Sequence, residues 1–279
     1  MTNATTAHGW QLQEDSASAY ERYLVPLLFE AGARHLLDNV RPGPGQRLLD
    51  VASGTGIVAR EALRRVGPSG EVTGVDLNPG MLTVAREVSA ANAAASDAAP
   101  ISWVEASADD LPLASASVDV ACCQQGLQFV ADRAGALAEL HRVLTPGGRL
   151  GLSTCRALGH QPGYVPLVEA LRRHVGESAA EGMASPFALG DLQEVRSLVT
   201  EAGFRDVEAR IVVWPVRLDS PEAFLWGESA SSPLGGVIAA LDADVIHELL
   251  VDLASGLAPH TDDAGLSFPF QTLVVTATR

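Results

Sequence analysis

The stretch LLDVASGTG, at residues 48–56, constrains the fold of this 279-residue chain more than any other feature. Its first half is a short apolar run that is typical of a strand buried on both faces, and Asp50 lies near the carboxyl end of that strand. Gly54 and Gly56 then turn the chain into a helical pattern. Glycines let a ligand approach the backbone, and a helix N-terminus presents free N–H groups. The stretch therefore predicts a ligand cradle between a strand and a helix.

A second apolar strand pattern, EVTGVD, ends at Asp76, twenty residues after Gly56. A carboxylate at that strand end can accept hydrogen bonds from both hydroxyls of a ribose. Together the two strand ends favour a ligand of nucleoside type. The alternative is a structural glycine-rich turn beside a solvated aspartate.

Strand and helix patterns alternate regularly through the first half of the chain. The predicted strands are 47–52, 71–76, 101–106, 117–123 and 149–154, and the predicted helices are 56–66, 79–94 and 132–144. Repeated strand–helix units of this length imply an α/β domain whose parallel sheet carries helices on both faces.

Further segments surround this repeated core. The predicted organisation is an N-terminal helical cap at 1–40, a core at 41–218 with a lid segment at 156–189, a helical lid insertion at 219–266 and a final core strand at 267–279. The cap is predicted to contain two helical patterns from Trp10 to about Asn39, broken near Pro26. A connection as long as the insertion is unusual unless it serves a function.

Charge and composition exclude several classes of partner. The net charge is −15 with no basic block, which argues against nucleic acid, an anionic membrane or a large acidic substrate. No apolar run approaches the length of a membrane span and no signal peptide is visible, so we expect a cytoplasmic protein. Cys122, Cys123 and Cys155 are predicted to be buried thiols, and no metal site is expected.

Five motifs in order carry a family resemblance: LLDVASGTG, GVDLN, ADDLPL, CCQQGLQF and LHRVLTPGGRL. They resemble class I S-adenosylmethionine-dependent methyltransferases, in the branch related to quinone-biosynthesis and small-molecule tailoring enzymes. The resemblance covers about residues 10–155 and, more weakly, 185–215. It implies a doubly wound, Rossmann-like sheet of seven mostly parallel strands with an antiparallel last strand, helical lid segments, and S-adenosylmethionine as cofactor.

The resemblance also implies which residues bind the cofactor. It assigns Ala52, Ser53, Gly54 and Gly56 to the methionine part, Asp76, Leu77 and Asn78 to the ribose, Met81, Ser107, Ala108 and Asp109 to the adenine, and Gln124 and Gln125 to the sulfonium edge, with Gln128 one helical turn on. Asp50 and Tyr20 complete the candidates, with core packing as the alternative for Tyr20. Ala52 replaces a common glycine, and Ser107 replaces an aspartate whose charge only Asp109 can supply.

Methyl transfer requires a nucleophile aligned with the methyl carbon and, for a hydroxyl or amine, a group that removes its proton. His160 is the best placed of seven histidines, in the loop after the fifth strand at the carboxyl edge of the sheet. Tyr164 is a weaker candidate. An acidic acceptor such as a phenol or enol needs no base.

The acceptor is expected to be a small organic molecule, methylated on oxygen or nitrogen in secondary metabolism. It would enter at the same edge, under the N-terminal helices, residues 156–189 and residues 219–266. Phe224 and Trp226 suggest a mostly apolar lid, with core packing as the alternative, and the segment SASSPLGG suggests a flexible stretch.

Three other functions fit parts of the sequence. The pattern GTGIVA and Asp76 suit an NAD-dependent dehydrogenase, but Asp50 and the later motifs do not. A methyltransferase-like fold can also use bound S-adenosylmethionine without transfer, in a pericyclic or hydrolytic step, or serve as a binding module.

The oligomeric state stays open, and a homodimer is compatible with the sequence.

Overall fold

A mixed eight-stranded sheet forms the centre of the computed structural model, which describes residues 14–93 and 100–279. The strands are β1 (Arg47–Val51), β2 (Glu71–Asp76), β3 (Ser102–Glu105), β4 (Val118–Gln124), β5 (Leu144–Cys155), β6 (Arg205–Leu218), β7 (Thr261–Asp262) and β8 (Gly265–Thr278). Their order is β3-β2-β1-β4-β5-β8-β6, and β7 pairs with β8 outside this path. The first five strands are parallel, whereas β8 runs antiparallel to β5 and β6. The predicted α/β sheet is confirmed, and the two-residue β7 adds an eighth strand to the seven expected.

Helices cover both faces of the sheet and its carboxyl edge. They are α1 (Glu14–Leu24), α2 (Glu30–Val40), α3 (Ile57–Val66), α4 (Pro79–Ala93), α5 (Arg133–Val143), α6 (Tyr164–His174), α7 (Glu177–Ala184), α8 (Leu192–Glu201), α9 (Pro221–Ala230), α10 (Leu234–Ala239) and α11 (Ala243–Leu257). In the part of the chain that the structure describes, no helix is both long and apolar enough to cross a bilayer.

The N-terminal helices differ from the prediction at Pro26. A π-helical turn, Val25–Phe29, joins α1 to α2 there, so the helical path widens where a break was predicted. Proline lacks a backbone N–H, and a wider turn accommodates that missing donor without ending the helix. The predicted helix start at Trp10 and the predicted end of the fourth helix at Ala94 lie outside the described residues.

Three apolar clusters show how the layers are held together. One packs β1, β4 and β5 against α5 and α8, and a second packs the other face of β1 and β4 against α2 and α3. The third lies beyond the carboxyl edge, where α6, α9 and α11 pack together. The sheet is therefore buried on both faces, as parallel strands require.

Strand β8 explains how the third cluster is attached. Cys155, the last residue of β5, pairs with Thr272, so β8 extends past the edge of the parallel strands through residues 265–271. β6 follows β8 along this extension, and both carry buried aromatic side chains there, such as Trp214 and Phe270. The extension forms a wall that supports the helices above the edge of the sheet.

Candidate active site

A cavity of about 420 Å³ lies at the carboxyl edge of the parallel strands, beneath the helices of the third cluster. Its lining residues are Tyr20, Leu24, Leu28, Phe29, Ala52, Gly54, Asp76, Leu77, Asn78, Met81, Ala106, Ser107, Ala108, Asp109, Gln124, Gln125, Gly126, Gln128, Phe129, Val130, Ala131, Cys155, Tyr164, Met183, Pro186, Phe187, Glu228 and Phe270. Small-molecule sites are concave pockets of this size, and open α/β sheets bind ligands at this edge.

One end of the cavity is the turn after β1 together with the end of β2, which we call the glycine cradle (residues 52–56 and 76–78). The Ser53 N–H donates to the Val75 carbonyl at 2.9 Å, and the Gly54 N–H donates to Asp76 Oδ2 at 2.7 Å. Gly56 has a φ of +89°, and a Cβ there would overlap the Trp103 ring. Gly54 thus faces the cavity, whereas Gly56 allows the turn to pack on β3.

Asp76 lies at the centre of the glycine cradle. Its Oδ1 accepts from the Asn78 N–H at 2.8 Å while Oδ2 accepts from Gly54, and the Leu77 N–H also interacts with the carboxylate. Burial raises the pKa of Asp76, and the backbone donors oppose that rise. The side chain of Asn78 accepts from the Gly80 N–H at 2.8 Å and so caps α4. These contacts fix the carboxylate before any ligand arrives.

Asp50 lies behind the glycine cradle and does not line the cavity. It is buried, and its Oδ2 accepts from the Ala59 N–H at 3.0 Å in the first turn of α3. Burial raises the pKa of Asp50 to about 8, with a smaller contribution of the same sign from Asp76. Asp50 therefore ties β1 to α3 and supports the cradle from below.

The wall beside α4 is partly apolar and ends in a polar pair. Met81 is buried, and Leu77 presents a side chain that is 48% exposed. The Ser107 hydroxyl donates to the Asp109 carboxylate, and both residues line the cavity. Asp109 thus supplies the negative charge that Ser107 lacks.

Three glutamines line the cavity after β4. Gln124 Nε2 donates to the Phe29 carbonyl at 3.0 Å, and Gln128 Nε2 donates to Gln125 Oε1 at 3.1 Å. The Oε1 atoms of Gln124 and Gln128 are buried and have no hydrogen-bond partner among the described residues. Buried polar atoms are rarely left unpaired, and these two enclosed oxygens bring uncompensated negative partial charge close to the cavity, which favours a ligand that carries positive charge.

The other end of the cavity is an aromatic chamber formed by Cys155, Tyr164, Met183, Phe187, Glu228 and Phe270. The Tyr164 hydroxyl donates to Glu228 Oε1 at 2.7 Å, and both residues are buried. Burial raises the pKa of Glu228 to about 7, and the hydrogen bond from Tyr164 opposes that rise. A carboxyl group that can hold or release a proton near neutral pH therefore lies in an apolar chamber.

The charged side chains that line the cavity are all acidic: Asp76, Asp109 and Glu228. Among the lining residues that the structure describes, none is arginine, lysine or histidine. Within residues 14–93 and 100–279, no group of three or more histidine, cysteine, aspartate or glutamate side chains is arranged to hold a metal ion. The electrostatics suit neutral and cationic ligands and oppose anionic ones.

Most of the residues predicted from the sequence meet at this cavity. Those that line it are Tyr20, Ala52, Gly54, Asp76, Leu77, Asn78, Met81, Ser107, Ala108, Asp109, Gln124 and Gln125. Asp50, Ser53 and Gly56 lie in the adjoining layer and do not line it. Tyr20, on α1, stacks on Phe29 with ring centroids 5.0 Å apart and covers Gly54.

The structure does not bring His160 to the cavity. It is exposed, in the 3-10 turn Leu158–His160, and is absent from the lining. The next residue, Gln161, is the one that turns inward. Its Nε2 donates to the carbonyls of Arg156 at 3.1 Å and Gln271 at 2.6 Å, which fixes the loop with His160 outside.

The sequence patterns did not single out Glu228, and for Phe224 the structure shows the alternative of core packing. Phe224 is buried against Tyr164, with ring centroids 5.3 Å apart, and Trp226 is exposed; neither lines the cavity. Half of the segment SASSPLGG is buried, namely Ser229, Ser231, Ser232 and Leu234. The available signal was a single carboxylate within the apolar run AFLWGESA, because a buried acid needs a partner.

Comparisons with known proteins point to one family. A model of the methyltransferase domain matches residues 49–152. The ubiquinone/menaquinone biosynthesis C-methyltransferase UbiE of Stutzerimonas stutzeri is 37% identical over 131 residues, which are 47% of this chain and 45% of that protein. The chain thus spans about half the length of that relative. The corresponding enzyme of Methylobacterium nodulans is 32% identical over 235 residues, which cover 72% of this chain and 86% of that protein.

A solved structure shares the fold. Phosphoethanolamine N-methyltransferase 2 of Haemonchus contortus, in complex with S-adenosyl-L-methionine, superposes with a TM-score of 0.60 at 19% identity, over 99% of this chain and 60% of that one. Identity this low shows the fold alone, whereas the Methylobacterium nodulans relative extends over most of both chains. The chain therefore belongs to the class I S-adenosylmethionine-dependent methyltransferases.

Proposed function

We propose that the protein transfers the methyl group of S-adenosylmethionine to an oxygen or nitrogen atom of a small, uncharged or cationic, largely apolar acceptor. The observation that carries this proposal is the continuity of the cavity, which joins the glycine cradle to the aromatic chamber. A donor held at one end and an acceptor held at the other would meet within one cavity. Alignment of two reactants in such a space is a large part of what methyl transfer requires.

The residues of the glycine cradle fit the cofactor. In this proposal the Asp76 carboxylate, held in place by backbone N–H groups, accepts hydrogen bonds from the ribose hydroxyls. The enclosed, unpaired Oε1 atoms of Gln124 and Gln128 would add negative partial charge beside the positively charged part of the cofactor. When bound, S-adenosylmethionine supplies an electrophilic methyl group on a positive sulfur. The acidic lining stabilises that charge.

The aromatic chamber supports the choice of acceptor. Phe187 and Phe270 present apolar rings, and Glu228 is the charged side chain of the chamber. An anionic acceptor would be repelled by that carboxylate, whereas a neutral or cationic one would not. The family model ends at residue 152, before Tyr164 and Glu228. The match to that model therefore does not indicate which atom of the acceptor this chain methylates.

The helices above the sheet are proposed to exclude water during transfer. α1 packs against α9, and residues from both helices line the cavity. Closing a site removes water that would compete with the acceptor and strengthens the electrostatic interactions inside. Opening would require α1 or α9 to move relative to the sheet.

Calorimetry with S-adenosylmethionine and S-adenosylhomocysteine tests the cofactor site. Asp76→Asn removes the charge and keeps the size of the side chain, so affinity is expected to fall by about 10- to 100-fold, the loss of one charged hydrogen-bond partner. Asp110→Asn is the matched control, because Asp110 is exposed and lies outside the cavity lining. This variant should bind both ligands with the affinity of the unchanged protein. Equal affinity in both variants would contradict the assignment.

Incubation with methyl-labelled S-adenosylmethionine and a pool of small acceptors tests the transfer. The proposal expects labelled product. Product that forms without label would instead show non-transfer chemistry that uses the bound cofactor for its charge, such as a pericyclic or hydrolytic step.

A further inference from the structure

Tyr164 and Glu228 form a hydrogen-bonded pair that is almost fully buried and nevertheless lines the cavity. Tyr164 is 3% exposed and Glu228 is 4% exposed, yet both line the cavity. The Tyr164 hydroxyl donates to Glu228 Oε1 at 2.7 Å. Glu228 Oε2 has no hydrogen-bond partner in the described part of the chain and is not among its fully enclosed polar atoms. One carboxylate oxygen is thus fixed, and the other is open to a ligand.

Aromatic packing holds Tyr164 in place. Its ring centroid lies 5.0 Å from Phe187, 5.3 Å from Phe224 and 5.8 Å from Phe270. A tyrosine enclosed in this way cannot change rotamer without opening a void in the third cluster. Its hydroxyl therefore orients the Glu228 carboxylate, so we treat Tyr164 as a positioning residue.

Among the described residues, no positively charged group compensates the charge of Glu228. The titratable groups that face it are Tyr164, on α6, and Cys155, on β5, and both are neutral when protonated. Burial therefore dominates and raises the pKa of Glu228 to about 7. An acid that only joins two helices does not need to contact a ligand cavity. A side chain that accepts a proton from a ligand must lie on that cavity.

We propose that Glu228 Oε2 accepts the proton of a hydroxyl group on an uncharged aromatic acceptor while the oxygen of that hydroxyl receives the methyl group. This inference rests on the proposed function. The new O–C bond forms as the S–C bond breaks, and sulfur keeps the electron pair of that bond and becomes a neutral thioether. The electron pair of the O–H bond stays on oxygen, and the proton moves to the carboxylate and later to water. The flat rings of Phe187 and Phe270 fit an aromatic ring as the body of the acceptor.

Acceptors of graded acidity separate a base from a merely structural acid. Catechol and 1-naphthol hold their protons at pH 7, whereas 4-nitrophenol is ionised at pH 9 and needs no base. Glu228→Gln keeps the size of the side chain and an oxygen for Tyr164. We expect it to lower the rate with catechol or 1-naphthol at pH 7 by about 100-fold or more. With 4-nitrophenol at pH 9 the rate should be no lower than that of the unchanged enzyme and can be higher, because the substitution removes the carboxylate that repels the phenolate.

The pH profile provides a second readout. The kcat/KM of the unchanged enzyme with catechol is expected to rise with pH as Glu228 ionises, with a midpoint near its pKa of about 7, and this rise should be absent in Glu228→Gln. Tyr164→Phe removes a hydrogen bond that lowers the pKa of Glu228, so the midpoint should move to higher pH. If Glu228→Gln fails to fold, the shift of the midpoint in Tyr164→Phe tests whether Glu228 is the group that accepts the proton.

Glu222→Gln is the matched control, because Glu222 is exposed on the same helix and lies outside the cavity lining. Its rates and pH profile should equal those of the unchanged enzyme. Equal losses with catechol and 4-nitrophenol in Glu228→Gln, an unshifted profile in Tyr164→Phe, or methylation on a ring carbon would each overturn the inference. Transfer to other acceptors with none to these three phenols would also overturn it and leave the proposed function intact. Absence of S-adenosylmethionine binding would instead overturn the proposed function.

Discussion

In the glycine cradle the carboxylate is held by backbone N–H groups at the ends of neighbouring strands, whereas in the aromatic chamber it is held by a side chain from a distant helix. Asp76 is fixed by the N–H groups of Gly54 and Asn78. Glu228 is fixed by the hydroxyl of Tyr164, 64 positions away, and is enclosed by apolar rings. The first arrangement depends on chain geometry, and the second depends on how separate helices pack.

This difference has a consequence for stability. The glycine cradle satisfies the buried Asp76 carboxylate with backbone N–H donors and so contributes to folding as well as to binding. The aromatic chamber buries a carboxyl group that ionises at a cost in free energy, so its function opposes stability. Substitutions in the two regions should therefore have opposite effects on unfolding.

The largest expected effect is in the glycine cradle, at Gly56. Gly56→Ala forces a side chain into a φ of +89° and against Trp103. Backbone strain and overpacking together are expected to lower the free energy of unfolding by about 3 kcal/mol, measured by urea denaturation. Gly147→Ala is the control, since Gly147 also has a positive φ of +77° but nothing within 4 Å. It should lose only the strain, about 1 kcal/mol. Equal losses would show that the contact with Trp103 contributes nothing.

The aromatic chamber should show the opposite sign. Burial raises the pKa of Glu228 from 4.5 to about 7, so the folded protein retains a proton that the unfolded chain releases between those values. Its contribution is neutral below pH 4.5, becomes unfavourable as pH rises, and reaches about 3 kcal/mol above pH 7. Glu228→Gln should therefore be more stable than the unchanged protein at pH 8 by up to that amount, and equal to it near pH 4. A variant less stable at pH 8 would mean that the carboxylate stabilises the fold.

A smaller effect is expected at Ala52, the position where the sequence resemblance implies a common glycine. Ala52 has a φ of +54°, and its Cβ lies against Gly126. Ala52→Gly relieves strain but adds freedom to the unfolded chain, so the melting temperature should rise slightly, by the equivalent of about 0.5 kcal/mol. A clear loss of stability would show that the Ala52 methyl group is needed for packing.

The smallest effect is expected at His160, outside both regions. His160→Ala should leave turnover and its pH profile unchanged, because the side chain is exposed and does not line the cavity. If the pH profile of turnover lost one of its limbs in this variant, His160 would take part in proton transfer, and Glu228 would not be the group that titrates.

The same contrast explains what the sequence could predict. Asp50, Gly54 and Asp76 lie at the ends of successive strands, and parallel strands bring such ends to one edge, so the glycine cradle followed from local pattern. Glu228 and Tyr164 meet only because α9 and α6 pack on the extension of β8, which no local period encodes. The position of His160 depended on whether that residue or Gln161 turned inward, and the hydrogen bonds of Gln161 to Arg156 and Gln271 decided it.

A crystal structure with bound S-adenosylhomocysteine tests the central claim, that one cavity holds the methyl donor and the acceptor at opposite ends. We predict both ribose hydroxyls within hydrogen-bond distance of Asp76 and the sulfur directed toward the aromatic chamber that contains Glu228. A ligand whose ribose lies away from Asp76, or whose sulfur is separated from Glu228 by protein, would contradict the account.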